Sequence, residues 1–465
     1  MKKTLASLIF ALPLLAKPII SVSIPPQSYF VQKIAGDSVE INEVISPNTD
    51  EHNFEFKPST MQKLEQSDIY FTIGLEFEKP MIYKFKDTFK NLSIIDTRKD
   101  IKLLYTTFEY AHHEEEAEHK THFEHKHAPV VFKDSEVKDR TINDYQGEFY
   151  SVYPLLLDDS LDEIFYLKAL NNKQSKNEIK AYYKEGYKSD IDKILINNDN
   201  ISFYKKNEVL KGTYAYKGFK IFTYESGKKG VRYQFENTDK TSKAPKFVQF
   251  SDHQISPTKS NHFHIFIGDL SFEALNKKML NWPTFYSTLL SKEQIIEDQI
   301  THIELGNDPH IWLDPLLVKT QARTITQALS KQYPHNKALY EANLAKFQNE
   351  LDALDTKIKS LLKDKKDKKF IVYHPSWAYF AARYDLVQVP VEIEGKEPKL
   401  KDLKTLIELA KKEKIQTIFV QKGFPQSAAK LLAKECGATI AEIDHLSRDW
   451  ENELLKSAQK LSQSF

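Results

Sequence analysis

The sequence predicts a two-lobed α/β protein, its lobes joined by a long backbone helix, with an all-β domain inserted. Three observations carry this. Strand-like and helix-like segments alternate over residues 18–110 and again over 304–465. Between them the texture changes to short, tyrosine-rich runs separated by turn residues. Finally, Leu344, Phe347, Leu351, Leu354, Ile358 and Leu361 follow a 3,4,3,4,3 spacing, which lays one apolar stripe along one helix.

The 465 residues allow two or three domains with ample core. The 66 basic residues nearly balance the 65 acidic ones, so no global basic field exists to attract nucleic acid. Cys436 is the lone cysteine, which excludes an internal disulfide and any cysteine-based zinc finger. Lys2 and Lys3 precede an apolar run from Leu5 to Leu15, and Ala16 offers a small residue for cleavage. This pattern predicts a signal peptide over 1–16, because a membrane span needs about 20 residues. No cysteine follows the run, so no lipid anchor is expected there, and export points to the periplasm.

In the first lobe, strands are expected at Ile19–Ile24, Val39–Ile45 and Ile69–Ile73, with helices at Tyr29–Ala35 and Pro58–Leu64. Asn48 to His52 reads as a polar turn. From 112 to 127, six histidines (His112, His113, His119, His122, His125, His127) crowd with five glutamates, the composition of a solvated loop that binds divalent metals weakly. Strand-like runs then recur at Phe149–Leu157, Ile201–Tyr204, Thr213–Tyr216, Phe219–Tyr224, Val231–Phe235, Phe247–Phe250 and His262–Ile267, predicting an antiparallel barrel or sandwich.

Beyond residue 304 a helix is expected at Leu316–Gln332. The long helix over 335–362 would be roughly 40 Å at 1.5 Å per residue. Strands follow at Phe370–Tyr373, Thr417–Val420 and Thr439–Ile443, with helices at Leu400–Lys414 and Ser427–Glu435.

Four residues occupy corresponding places in this pattern. His374 and Asp444 each follow a predicted strand, whereas His52 and His310 sit on loops flanked by acids and prolines. In open α/β sheets, ligands bind beyond the strands' carboxyl ends. Three imidazoles and a carboxylate suit Zn²⁺ in four-coordination, while oxygen-rich sets suit manganese. His445 is expected to be a solvated neighbour. In the insert, His262 and His264 alternate on a strand and face one side, with His253 close by across the Pro257 turn. His302 is a further candidate.

The strings PNTDEHNFEFKPS, NDPHIWLDP, VYHPSWAYFAARYDL and IAEID resemble those of the zinc-binding proteins of bacterial ABC importers, the ZnuA type. That resemblance covers about 18–110 and 304–465. It implies metal ligation by His52, His310 and His374, completed by Asp444 or water, and a rigid helix between the lobes. The strings GEFYSVYPLL, IKAYYKEGY, SGKKGVRYQF, SKAPKFVQFSDH, HFHIFIGD and NWPTFYS, spread over 134–303, resemble the ZinT (YodA) family. This second resemblance implies a lipocalin-like (calycin) barrel that holds zinc through His253, His262 and His264.

The expected division is therefore a signal peptide at 1–16, an N-terminal ZnuA-like lobe at 17–111, and a His/Glu-rich loop at 112–130. A ZinT-like barrel at 131–303 follows, then the end of the first lobe at 304–334, the backbone helix at 335–365 and the C-terminal lobe at 366–465. The expected function is periplasmic capture of Zn²⁺ by a monomer and its delivery to the membrane permease of an ABC importer. The alternatives are a zinc or cadmium buffer without an importer, a surface adhesin, manganese or iron uptake on the same fold, and a metallohydrolase. No HExxH, Gly-x-Ser-x-Gly or suitably spaced acid pair supports the last.

Overall fold

The computed structural model describes residues 17–46, 51, 54, 56–101, 132–170, 173–224, 229–303, 308–393, 396–424 and 426–465. The expected signal peptide, His52 and the His/Glu-rich loop lie outside the described residues. The chain divides into two units, one holding the described residues up to 101 and from 308 onward, the other those from 132 to 303.

The first lobe runs β1 (Ile19–Val22), α1 (Pro25–Ala35), β2 (Glu40–Glu43), α2 (Pro58–Glu65), β3 (Ile69–Thr72), α3 (Lys79–Thr88) and β4 (Ser93–Asp96). All four strands are parallel, in the order β2-β1-β3-β4. Pro25 and Pro26 open α1 in the first turn, where a backbone N–H has no helical partner to lose. The sequence pattern stopped at β3. The missed α3 and β4 are short, and α3 mixes lysines with its apolar residues.

The second unit runs β5 (Gly147–Ser151), α4 (Tyr153–Leu157), α5 (Asp162–Leu170), α6 (Lys176–Tyr187), β6 (Lys193–Asn197), β7 (Asn200–Lys205), β8 (Glu208–Thr223), β9 (Lys229–Asn237), β10 (Phe247–Ser251), β11 (His262–Gly268), α7 (Phe272–Asn276), β12 (Thr284–Ser287) and α8 (Lys292–Thr301). Its eight strands close an antiparallel barrel, β10-β11-β12-β5-β6-β7-β8-β9, which resolves the open choice between barrel and sandwich. Alternate residues point inward and pack a core that includes Phe149, Phe203, Tyr233, Phe235, Phe250 and Phe263. The expected strand Phe149–Leu157 is half strand and half helix, because Pro154 ends the ladder and starts α4. The two runs expected at 213–216 and 219–224 are one strand, β8, broken in register between Tyr216 and Phe219. Gly218, at φ +100°, takes up that irregularity, since a side chain there would be strained.

The chain then continues through α9 (Pro315–Gln332), α10 (Lys337–Leu362), β13 (Lys369–Val372), α11 (Ala378–Arg383), β14 (Val387–Pro390), α12 (Leu400–Lys412), β15 (Thr417–Gln421), α13 (Ser427–Cys436), β16 (Thr439–Ile443) and α14 (Trp450–Gln463). The second parallel sheet has the order β14-β13-β15-β16. α10 buries Tyr340, Phe347, Leu351, Leu354, Ile358 and Leu362. It touches both lobes: Asn343 donates to the Ile34 carbonyl of α1 at 2.8 Å, and Ser462 of α14 donates to the Leu361 carbonyl at 2.9 Å.

Candidate metal centres

In the two-lobed unit, donors gather beyond the carboxyl ends of the strands. Asp308 fixes His310 twice: its Oδ1 accepts from the His310 backbone N–H at 2.9 Å and lies 2.6 Å from ring Nδ1. That leaves Nε2 to face inward, 3.3 Å from Glu51 Oε1 and 3.4 Å from His374 Nε2. Asp314, the second acid of the motif, instead caps α9 through the Leu316 N–H and pairs with Arg383 at 2.7 Å. It is a structural anchor.

His374 leaves β13 and stacks on Phe424, with ring centroids 4.7 Å apart. Its Nδ1 lies 3.3 Å from the buried carboxylate of Glu392, which turns Nε2 toward Glu51, 3.9 Å away. Such outer carboxylates fix the orientation of ligating imidazoles. Glu51 itself is fully buried. A tetrahedral ion with bonds of 2.0–2.2 Å separates its donors by roughly 3.3–3.6 Å. The contacts of His310 with His374 and with Glu51 fall in or at the edge of that range.

The electrostatics are those of a charged cluster. Burial alone would raise Glu51, but the imidazoles of His445 and His310 hold it well below the usual carboxylate range. Burial opposes charge on His310, yet Asp308 and Glu51 raise it to about 9. His374 is pushed down by burial.

Two expectations at the end of β16 are corrected. Asp444 turns away from the cluster: its Oδ1 accepts from the Leu446 N–H at 3.0 Å, and Oδ2 lies 3.8 Å from Lys422. His445 is not solvated. It is 2% exposed, and its Nε2 lies 2.7 Å from Glu51 Oε1. β16 ends at Ile443, and in the turn that follows the Asp444 carboxylate is held by the Leu446 N–H while the His445 ring is the one that packs inward. Glu51 was also missed. Its signal was its place beside His52 in the same loop motif.

In the barrel unit, His253 follows β10, His262 and His264 lie on β11, and His302 caps the end of α8. His253, His262 and His302 each bring a ring nitrogen within 4.8 Å of the others. His264 lies on the same side, its ring centroid 6.2 Å from His253 and 6.4 Å from His262. Its Nδ1 contacts Thr284 Oγ1 at 2.7 Å. Desolvation, reinforced by the imidazoles of His253, His262 and His302, pushes His264 well below the ordinary histidine value. Asp298 Oδ2 lies 3.2 Å from His262 Nδ1 and accepts from the Tyr286 hydroxyl at 2.8 Å. Arg140 grips both oxygens of Asp252 at 2.7 and 2.6 Å and donates to the Thr258 carbonyl, so it ties down the loop that carries His253. The adjoining cavity of about 30 Å³ has room for an ion or a water.

Comparison with known proteins bears on both units. Over 172 residues the chain is 46% identical to the zinc-binding lipoprotein AdcA of Streptococcus pneumoniae, a match covering 37% of this chain and 34% of that protein. The chain thus spans about a third of the length of that relative. It is 42% identical over 172 residues to the probable metal-binding protein YrpE of Bacillus subtilis, covering 37% of this chain and 68% of YrpE. The crystal structure of ZnuA shares the fold, with TM-score 0.51 and 23% identity over 96% of this chain and 99% of that one. Residues 123–302 match the sequence profile of ZinT, and with the likeness to YrpE this places the chain, through its barrel, in the ZinT (YodA) periplasmic lipocalin-like zinc-recruitment family.

Proposed function

We propose that the chain is an exported zinc-capture protein that binds Zn²⁺ at two sites and delivers it to the permease of an ABC importer. One observation carries the reading for the two-lobed unit: imidazoles from sequence positions 310 and 374 meet at 3.4 Å over a buried carboxylate. With His52, the next residue in the sequence after Glu51, these residues would form the core site. His253, His262, His264 and His302 form the accessory site in the barrel. Imidazole-rich donor sets suit zinc better than manganese. The fold shared with ZnuA and the name of AdcA, a zinc-binding lipoprotein, point the same way. In this reading α10 is the spine that holds the two lobes, and two sites on one chain raise the effective concentration for transfer.

Calorimetry tests the site assignment. The full chain should bind two tight equivalents of Zn²⁺, and His310→Ala/His374→Ala should retain only the barrel equivalent. Two unchanged sites in that variant would refute the core ligands. Delivery is tested by growth: deletion should impair growth under zinc limitation, and rescue should require a zinc-importer membrane subunit.

A further inference from the structure

The end of the second lobe away from the metal donors carries a feature that zinc capture does not use. Lys368 and Lys369 lead into β13, while Lys411, Lys412 and Lys414 lie where α12 ends, just before β15. The two turns border a cavity of about 230 Å³, against the roughly 10–15 Å³ that one water needs. Lys368, Lys369, Lys414, Gln416 and Thr417 are in its lining, with Glu413 as the acidic side chain. We propose that this cavity binds a phosphate group of a linear phosphate polymer, and that the lysines flanking it hold the groups on either side.

Charge is the first argument. Residues 363–369 and 411–414 together hold eight lysines and three acids. Of the lining lysines, Lys369 is matched by Glu413 at 2.9 Å, whereas Lys368 and Lys414 form no ion pair among the described residues. The Glu413 carboxyl is held below its ordinary value, first by the hydrogen bond from Lys369 and then by the charges of Lys369, Lys412 and Lys368. A second anion would enter a field that remains positive, and Gln416 adds an amide that can donate to it.

Backbone conformation supplies a second, independent argument. Lys414 has φ +54°, a left-handed conformation that glycine adopts without cost. It stands one residue past the C-cap of α12, and the Ile415 N–H returns to the Ala410 carbonyl at 2.9 Å. α13 ends on a left-handed residue as well, and there the residue is Gly437 at φ +71°. A lysine in the same conformation gives up stability to put an ammonium in the cavity wall.

The third argument concerns extent. Lys363, Lys365 and Lys366 in one turn and Lys411 and Lys412 in the other carry positive charge beyond the lining, which suits a chain of phosphates better than a single ion. Lys369 opens β13 and His374 follows its far end, so at about 3.3 Å per residue the cavity lies roughly 15 Å from the core donors. A polymer held there leaves the donor end free. A bilayer bound there would turn that end away from the membrane of the proposed permease. This choice of polymer over lipid rests on the delivery reading above; the phosphate site itself does not.

The test uses the metal-free full chain at pH 8, where most imidazoles are neutral. The probe is end-labelled long-chain polyphosphate, followed by anisotropy. The parent should bind it, and inorganic phosphate should compete. Lys368→Gln/Lys414→Gln should weaken binding by about tenfold or more, the scale of lost hydrogen bonds to a charged group. Lys346→Gln/Lys357→Gln, which removes the same charge from the exposed face of α10, should change it by less than about twofold. Lys414→Gly separates charge from fold: it should weaken binding several-fold while the urea midpoint holds or rises. Vesicles of phosphatidylglycerol should bind more weakly than polyphosphate at equal phosphate. The proposal is overturned by a parent that does not bind polyphosphate, by equal losses in the two double variants, or by unchanged binding in Lys414→Gly. Vesicle binding as strong as polymer binding would overturn the choice of polymer. Zinc binding by the parent is a separate readout, so this proposal and the zinc reading can fail independently.

Discussion

Gln421 and His374 exchange two hydrogen bonds across the second sheet. The Gln421 Oε1 accepts from the His374 N–H at 3.1 Å, and its Nε2 donates to the His374 carbonyl at 2.7 Å and to Ser376 Oγ at 3.0 Å. A side chain at the end of β15 thereby fixes the backbone of an imidazole at the end of β13. Gln421→Leu should leave buried backbone groups unpaired and lower stability by about 1–3 kcal/mol in urea unfolding. It should also weaken zinc binding at the core site by about tenfold or more without touching the barrel equivalent. Loss of stability with an unchanged core affinity would show that the pair supports the fold alone.

Arg140 and Asp252 form a buried pair stacked on Tyr145, with the guanidinium 4.6 Å from that ring centroid. Arg140→Met strands the Asp252 charge and should cost about 3–5 kcal/mol, measured as a shift in the urea midpoint. Arg140→Met/Asp252→Leu should recover much of that. Because the same guanidinium holds the Thr258 carbonyl, zinc affinity at the barrel should stay reduced even in the double variant.

Asp298 stands behind His262 as the carboxylate partner of its Nδ1. Asp298→Asn should lower zinc affinity at the barrel by roughly 10–100-fold. Tyr286→Phe removes one hydrogen bond to that carboxylate while keeping the ring against His262, so its effect should be smaller. Calorimetry of both variants in a core-disabled chain checks the order.

Glu78 gives a pH dependence that involves neither centre. Its carboxyl is buried beneath the N–H groups of Ile73, Gly74 and Leu75 and beside the Ser23 hydroxyl. Burial outweighs these donors and raises it from 4.5 to about 7. The folded value lies above the unfolded one, so the protonated form stabilises the fold fully below pH 4.5. That contribution is lost as pH rises through 7. It is worth on the order of 3 kcal/mol. The stability difference between wild type and Glu78→Gln should change by that amount between pH 4.5 and 8. A constant difference across the range would contradict the assignment.

The sequence displayed the architecture better than the contacts. Alternation and the α10 stripe revealed two α/β lobes and a long helix, since both depend on local periodicity. The proline-bounded motif isolated His310, and the β11 alternation put His262 and His264 on one side. Glu51 and His445 were opaque for a shared reason. Each adjoins a more conspicuous residue, His52 or Asp444, and only tertiary packing decides which of two neighbours turns inward. His302 sits at a helix end, where a histidine is ordinarily a cap facing solvent. In the barrel, β6 and β12 were passed over.

Trp312 is buried, hydrogen-bonded at both its indole and its carbonyl, and its ring centroid lies 5.1 Å from that of His310. An immobilised fluorophore against a candidate ligand makes the protein its own optical gauge. Paramagnetic Co²⁺ entering the core should quench Trp312 emission, and Trp312→Phe should diminish that response, the remainder coming from Trp377 and Trp450. Arrival and departure of cargo could then be timed by stopped flow without attaching a dye.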